Sequence, residues 1–202
     1  MKIKTKTVTY EYVEKIESAK RKRPKKPNFI FSTIIRLLAI PDLIATRFKY
    51  TKSRMDEAGD GPYLILMNHS SFIDLKIASR IFYPKRYCIV CTSDGFVGKE
   101  WLMRLLGCIP TQKFVTDVGL IMDMLHVIKK KKTSILMYPE ASYSFDGCAT
   151  PLPRKLGTLI KKLGVPVLTV ITDGAFLRDP LYNGLQLRKV KVSAHLNCLF
   201  TK

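Results

Sequence analysis

Acidic residues are scarce in this chain: 16 Asp and Glu stand against 35 Lys and Arg over 202 residues, a formal net charge of +19 at pH 7. A deficit of that size excludes a charge-balanced surface and predicts attraction to something anionic: nucleic acid, a membrane leaflet, or a phosphorylated or coenzyme-type ligand. Cysteine is sparse and odd in number, with five residues, Cys88, Cys91, Cys108, Cys148 and Cys198. They cannot all pair, and several lie in apolar runs where a free thiol acts as a small hydrophobe, which points to a reducing compartment. "YCIVCTS" has C-x-x-C spacing, but strand residues three apart point to opposite faces, which argues against joint metal ligation. No G-x-S-x-G is present, so a serine hydrolase elbow is missing, and no internal repeat is visible.

A long uninterrupted apolar run is missing as well. A spanning helix needs about 20 apolar residues. The best stretch, "FIFSTIIRLLAIPDLIATRF" at residues 29–48, carries Arg36, Pro41 and Asp42, and each charge costs about 2.5 to 3.5 kcal/mol at bilayer depth. A secretory signal fits poorly too, since the apolar part begins late and no small-residue cleavage site follows.

What is there divides into three parts. Residues 1–28 form a polar tail ending in the basic block "KRKRPKK" at residues 20–26. Residues 29–50 read as a helical segment lying in the headgroup boundary of a membrane, with Ser32, Thr33 and Arg36 on one narrow stripe, and with Pro41 breaking it into two short helices. Basic residues before it would add about 1 kcal/mol each by attraction to anionic lipid. The alternative is a buried core helix after a solvated tail. With 47% hydrophobic residues overall, residues 51–202 have the material for one compact domain.

In that domain "PYLILMN" (62–68), "RYCIVCT" (86–92), "TSILMYP" (133–139) and "VPVLTVIT" (165–172) are short apolar runs, the pattern of strands buried on both faces. Helical patterns lie between them: residues 115–132 with Asp117 at the start and lysines at the end, "KEWLMRLLG" ending at Gly107, and "LPRKLGTLIKKLG" ending at Gly164. "LRKVKVSAHLNCLF" closes the chain as an alternating strand with one wet face. Strands alternating with helices give an α/β fold, a mixed, largely parallel sheet flanked by helices with the N-terminal membrane-associating segment appended.

Ligands of such sheets bind at the carboxyl ends of the strands, where His69 sits. "SSFIDLKIASRIF" reads as the following helix, with Ser70 or Ser71 as N-cap and Asp74 in its first turn. Five positions on a regular helix lie about 140° apart, so His69 meets Asp74 only from the turn outside the helix. There the carboxylate would fix the imidazole tautomer and leave the other nitrogen free to take a hydroxyl proton. The bland alternative is a capping box of Ser71 and Asp74 beside an ordinary turn histidine. A second apolar strand ends in polar residues at "YPEASYS", so two strand ends converge on one rim.

These residues resemble the PlsC-type glycerolipid acyltransferases, the family that includes 1-acylglycerol-3-phosphate acyltransferases. Over roughly residues 60–175, "NHSSFID" looks like its N-H-x-x-x-x-D block, "GCIPTQKF" like its second block, "YPEASYS" like F-P-E-G-T-R-S, and "GVPVLTV" like V-P-V-x-P-V. The resemblance implies His69 as general base with Asp74 as its orienting partner. It implies an acceptor site with Glu140, Ala141, Ser142 and Tyr143, and with Lys113 where an arginine usually helps hold phosphate. The reaction implied is attack of a lysophospholipid hydroxyl on an acyl thioester of coenzyme A or acyl carrier protein, with no bound cofactor and no metal, at the cytoplasmic face of an anionic membrane as a peripheral or monotopic protein. Three positions depart from the pattern: Ala141 stands for glycine, Tyr143 for arginine and Lys113 for arginine, which removes two planar forks for phosphate. Little chain follows the fourth block, so the domain reads as short at its C-terminal end. Two rivals remain, a catalytically altered acyltransferase-like lipid-binding protein and a basic nucleic-acid-binding protein. No nucleic-acid motif or stacked-aromatic surface supports the second.

Overall fold

The structure, a computed structural model, describes residues 22–96, 98–112, 117–178 and 188–200, with Thr9 and Glu11. Lys113 and most of the expected polar tail lie outside the described residues.

The four apolar runs form the middle of the sheet: β2 (Leu64–Met67), β3 (Tyr87–Thr92), β5 (Ser134–Met137) and β6 (Val167–Asp173). With β1 (Lys49–Ser53), β4 (Cys108–Thr111) and β7 (Ser193–Phe200) they make one seven-stranded sheet in the order β1-β7-β6-β2-β5-β3-β4. Every adjacent pair is parallel except β6 with β7, so the sheet is mixed and mostly parallel, as the alternation predicts. β2 lies at the centre and all four of its residues are buried. Leu64 and Leu66 pack into one core layer and Ile65 and Met67 into the other, the period of two that a strand imposes.

The layer under Ile65 and Met67 is closed by α1 (Phe29–Ala45) and α2 (Ile73–Phe82), through Ala39, Leu43, Ile73 and Ile77. The opposite layer is closed by α4 (Val118–Lys129) and α5 (Leu156–Leu163), through Met124, Val127 and Leu163. A short α3 (Glu100–Leu105) lies between β3 and β4. Asp117 caps α4, its Oδ1 accepting from the Leu120 N–H at 2.9 Å, and Gly164 ends α5 in the left-handed conformation at φ 58°. β7 alternates as expected, with Ala194, Leu196 and Cys198 buried and Ser193 and His195 exposed.

Three local expectations are corrected. Pro41 does not break the apolar segment, which is one helix through Ala45. Proline removes a single hydrogen bond, and Ala39 and Leu43, buried on either side of it, hold both halves against the body. The described part of the basic block is not a free tail. Pro24 and Pro27 are buried, and the Pro27 and Arg23 carbonyls accept from Arg86 Nη1 at 2.9 Å and Arg104 Nη2 at 3.3 Å. Gly107 makes room for this strap: its φ is 74°, and an added Cβ would stand 2.5 Å from Pro27 Cγ. Neither Ser70 nor Ser71 caps α2, whose N-cap residue is Phe72 without a side-chain bond.

Helix α1 presents its faces the unusual way round. Ser32, Thr33 and Arg36 turn toward the body, the two hydroxyls bonded to the Asn28 and Phe29 carbonyls and the guanidinium 3.3 Å from the Tyr83 ring centroid. Ile30, Ile34, Leu37, Leu38 and Ile44 point away, with Ile30, Leu38 and Ile44 at 65%, 70% and 71% exposure. Asp42 also turns inward, pairing with Lys76 of α2 and with Arg178 Nη2 at 3.0 Å. Burial raises its carboxyl, but the hydrogen bonds and charges of Lys76 and Arg178 outweigh it and leave Asp42 below the usual carboxylate range.

Candidate active site

The site is built where β2 ends. Asn68 locks that end to β6: its Oδ1 accepts from the Thr172 N–H at 2.8 Å and the Thr172 hydroxyl at 3.0 Å, and its Nδ2 donates to the Thr172 carbonyl at 3.0 Å. The chain then leaves the sheet through His69, Ser70 and Ser71, and the Ser71 hydroxyl donates to the Ala175 carbonyl at 2.9 Å. The turn is thereby fixed at one end to β6 and at the other to the segment that follows β6. These ties were not read from the sequence: Ser71 stood there only as a capping candidate and Asn68 only as part of the N-H-x-x-x-x-D block, and Thr172 was not singled out.

Inside the turn His69 and Asp74 meet as expected. His69 Nδ1 lies 2.9 Å from Asp74 Oδ2, and the same oxygen accepts from the Ser70 N–H at 2.7 Å and the Ser71 N–H at 3.0 Å. The carboxylate thus does two things. It holds the strand-to-helix turn through two backbone bonds, and as an acceptor it requires the proton on Nδ1, which leaves Nε2 as the basic nitrogen. Asp74 is fully buried and the His69 side chain is 18% exposed, so the base is reachable while its partner is sealed.

The third block folds over this turn. The Ser144 N–H donates to the His69 carbonyl at 2.8 Å, binding the loop after β5 to the loop after β2. Burial pushes the Glu140 carboxyl up, partly offset by the backbone N–H and charge of His69, and its Oε2 is buried without a hydrogen-bond partner. Ala141 and Ser142 are exposed in the loop, with Ala141 at φ 55°. Tyr143 and Tyr138 flank the imidazole, each ring centroid 3.9 Å from that of His69. Tyr138 escaped sequence reasoning because it reads as the last residue of an apolar strand. Of the expected acceptor-site residues, Glu140 and Tyr143 adjoin His69, Ala141 and Ser142 lie in the connecting loop, and Lys113 is outside the described residues.

A cavity of about 160 Å³ opens on the α1 and α2 side of the sheet, lined by Leu75, Ile35, Tyr87, Ile89, Cys91 and Met103 among others. Among the described residues, no group of three or more His, Cys, Asp or Glu side chains is placed to hold a metal ion. All five cysteines are free, and burial pushes the Cys88 thiol up to about 12, which makes it a packing residue.

Residues 46–173 match the family described as Acyltransferase, a span that runs from just before β1 to the end of β6 and includes His69, Asp74, Tyr138, Glu140 and Tyr143. The chain belongs to this family. It is similar, at 28% identity over 131 residues, to the 1-acyl-sn-glycerol-3-phosphate acyltransferase of Saccharomyces cerevisiae, over 60% of this chain and 42% of that protein. It is 26% identical over 121 residues to the 1-acyl-sn-glycerol-3-phosphate acyltransferase BAT2, chloroplastic, of Brassica napus, over 58% of this chain and 34% of that protein. The chain spans less than half the length of these curated relatives. In fold it is similar to the crystal structure of the 1-acyl-sn-glycerophosphate (LPA) acyltransferase PlsC from Thermotoga maritima, with a TM-score of 0.62 and 17% identity over 82% of this chain and 66% of that one.

Proposed function

We propose that this acyltransferase-family chain moves a fatty acyl group from a thioester of coenzyme A or acyl carrier protein to the hydroxyl of a lysophospholipid such as 1-acylglycerol-3-phosphate. The observation that carries the reading is the single Asp74 oxygen that takes His69 Nδ1 and two backbone N–H groups, leaving Nε2 as the basic nitrogen at the rim.

In the reaction the acceptor hydroxyl gives its proton to Nε2 as its oxygen bonds the thioester carbon. Collapse of the tetrahedral intermediate breaks the carbon–sulfur bond, and the departing thiolate takes the proton from the imidazolium. Asp74 supplies the negative charge that stabilises the imidazolium in between. In this reading Glu140 binds the acceptor, supported by its burial-raised carboxyl and its contact with His69, and Lys113 supplies the charge for the acceptor's phosphate. The apolar cavity between α1, α2 and the sheet is comparable with the roughly 150 Å³ that holds a benzene ring, and it would take part of the acyl chain.

We further propose that α1 seats the protein on an anionic membrane as a peripheral or monotopic protein at its cytoplasmic face. Its outward apolar stripe supports this, together with the exposed Lys22, Arg23, Lys25 and Lys26 strapped beside its N-terminus. No helix among the described residues is long and apolar enough to cross a membrane.

The test is to incubate purified protein with a labelled acyl thioester and a panel of lysophospholipids, and to identify the product by mass. A diacyl product that requires both substrates supports the reading. Thioester binding with no product from any acceptor would favour the altered lipid-binding scaffold instead.

A further inference from the structure

The imidazole of His69 is covered on both faces. Tyr138 lies against it with ring planes 16° apart, and Tyr143 with planes 32° apart, each at a centroid distance of 3.9 Å. One edge of the ring is taken by Asp74, so the Nε2 edge is what remains for an acceptor. The lone pair of Nε2 lies in the ring plane, so covering the faces does not obstruct proton transfer along that edge.

Tyr143 is held there rather than merely resting there. The residue after it, Ser144, donates its backbone N–H to the His69 carbonyl, and Phe72 abuts the Tyr143 ring at 5.8 Å and 53°. When Nε2 takes the acceptor proton, a positive charge appears between two π faces, and that attraction is stronger for imidazolium than for neutral imidazole. Only an interaction that strengthens toward the transition state raises kcat.

We propose that Tyr143 is a positioning residue that completes an aromatic clamp on His69, holding the Nε2 edge toward the acceptor and stabilising the imidazolium. The proposal rests on the acyl-transfer reading above. It gives Tyr143 a role through His69, distinct from the phosphate contact expected of an arginine at that position.

The experiment compares Tyr143→Leu and Tyr143→Phe with the wild-type chain in two measurements. The first is the NMR shift of the His69 ring C–H resonances in substrate-free protein, since an imidazole between two aromatic rings is shifted upfield. The second is kcat and KM with the best acceptor. Tyr143→Leu is expected to move the resonances downfield and to lower kcat about 5- to 10-fold with acceptor KM within about twofold. Tyr143→Phe is expected to preserve the resonances and kcat. Unmoved resonances in Tyr143→Leu would overturn the clamp, and moved resonances with unchanged kcat would overturn its role. A raised KM at constant kcat would make Tyr143 an acceptor contact, and an equal loss in Tyr143→Phe would assign the effect to the hydroxyl; either overturns the proposal. A wild-type chain that transfers no acyl group sinks the functional reading instead, and the resonances still report whether the stack exists.

Discussion

One carboxylate oxygen of Asp74 accepts the His69 Nδ1 proton and, with it, the two backbone N–H groups of the turn that carries His69. Base orientation and local backbone geometry therefore depend on the same atom. In Asp74→Asn an amide oxygen in that place keeps all three bonds but removes the charge facing the imidazolium. Losing the charge while keeping the bond forfeits the difference between a charge-assisted and a neutral hydrogen bond, about 1 to 1.5 kcal/mol, which corresponds to about a 5- to 12-fold fall in kcat with the fold retained. Asp74→Ala, which also strands the backbone donors, is expected to lower the thermal midpoint as well. Calorimetry beside a rate assay separates the two.

Asp42 ties α1 to α2 and to Arg178. Asp42→Ala is expected to destabilise the fold by about 1.5 to 3 kcal/mol, the range for hydrogen bonds to charged groups. Because the folded-state pKa of Asp42 is depressed, its contribution is full above the unfolded value of about 3.9 and is lost as pH falls through the folded pKa. Denaturant titrations should show the gap between wild type and Asp42→Asn closing as the pH drops below about 4. A gap that stays constant to lower pH would count against the pairing.

How far the sequence disclosed this arrangement differs from element to element. β2, β3, β5 and β6 were legible as short apolar runs, although only β2 is buried throughout and Ile171 of β6 is 56% exposed. β1 and β4 were not. "KYTKS" is polar and occupies an edge, and "CIPT" carries Pro110, which a sheet tolerates at an edge strand. The His69 and Asp74 contact was legible because both residues belong to one turn. The tyrosines against His69 were not, because their contact forms only when the loop after β5 closes over the loop after β2. The outward apolar face of α1 was half legible: the polar stripe was visible, its inward direction was not.

Ala141 adopts φ 55°, a conformation that costs an L residue about 1 to 2 kcal/mol over glycine, while glycine surrenders about half of that in chain entropy. Ala141→Gly is therefore expected to raise stability by about 0.5 to 1 kcal/mol, read as a higher denaturation midpoint at unchanged slope. A lower midpoint would mean that the loop is not strained at this residue.

The exposed stripe of α1 offers a substitution that spares the core. Leu37→Glu with Leu38→Glu replaces two outward side chains and is expected to weaken flotation with anionic vesicles by at least about tenfold, with the denaturation midpoint little changed. Neutralising Lys25 and Lys26 should weaken it mainly at low salt. Undiminished flotation of the double glutamate variant would remove α1 from the membrane contact.

The most direct measurement is the rate of diacyl product formation by wild type and His69→Ala, with the acceptor identified by the lysophospholipid panel. His69 stands at the rim and outside the β2 core, so the variant should still fold, with a midpoint lowered by the bond Asp74 loses and the ring the two tyrosines lose, and should drop about 10²- to 10⁴-fold in kcat. A folded His69→Ala protein that transfers acyl groups at the wild-type rate would contradict the account.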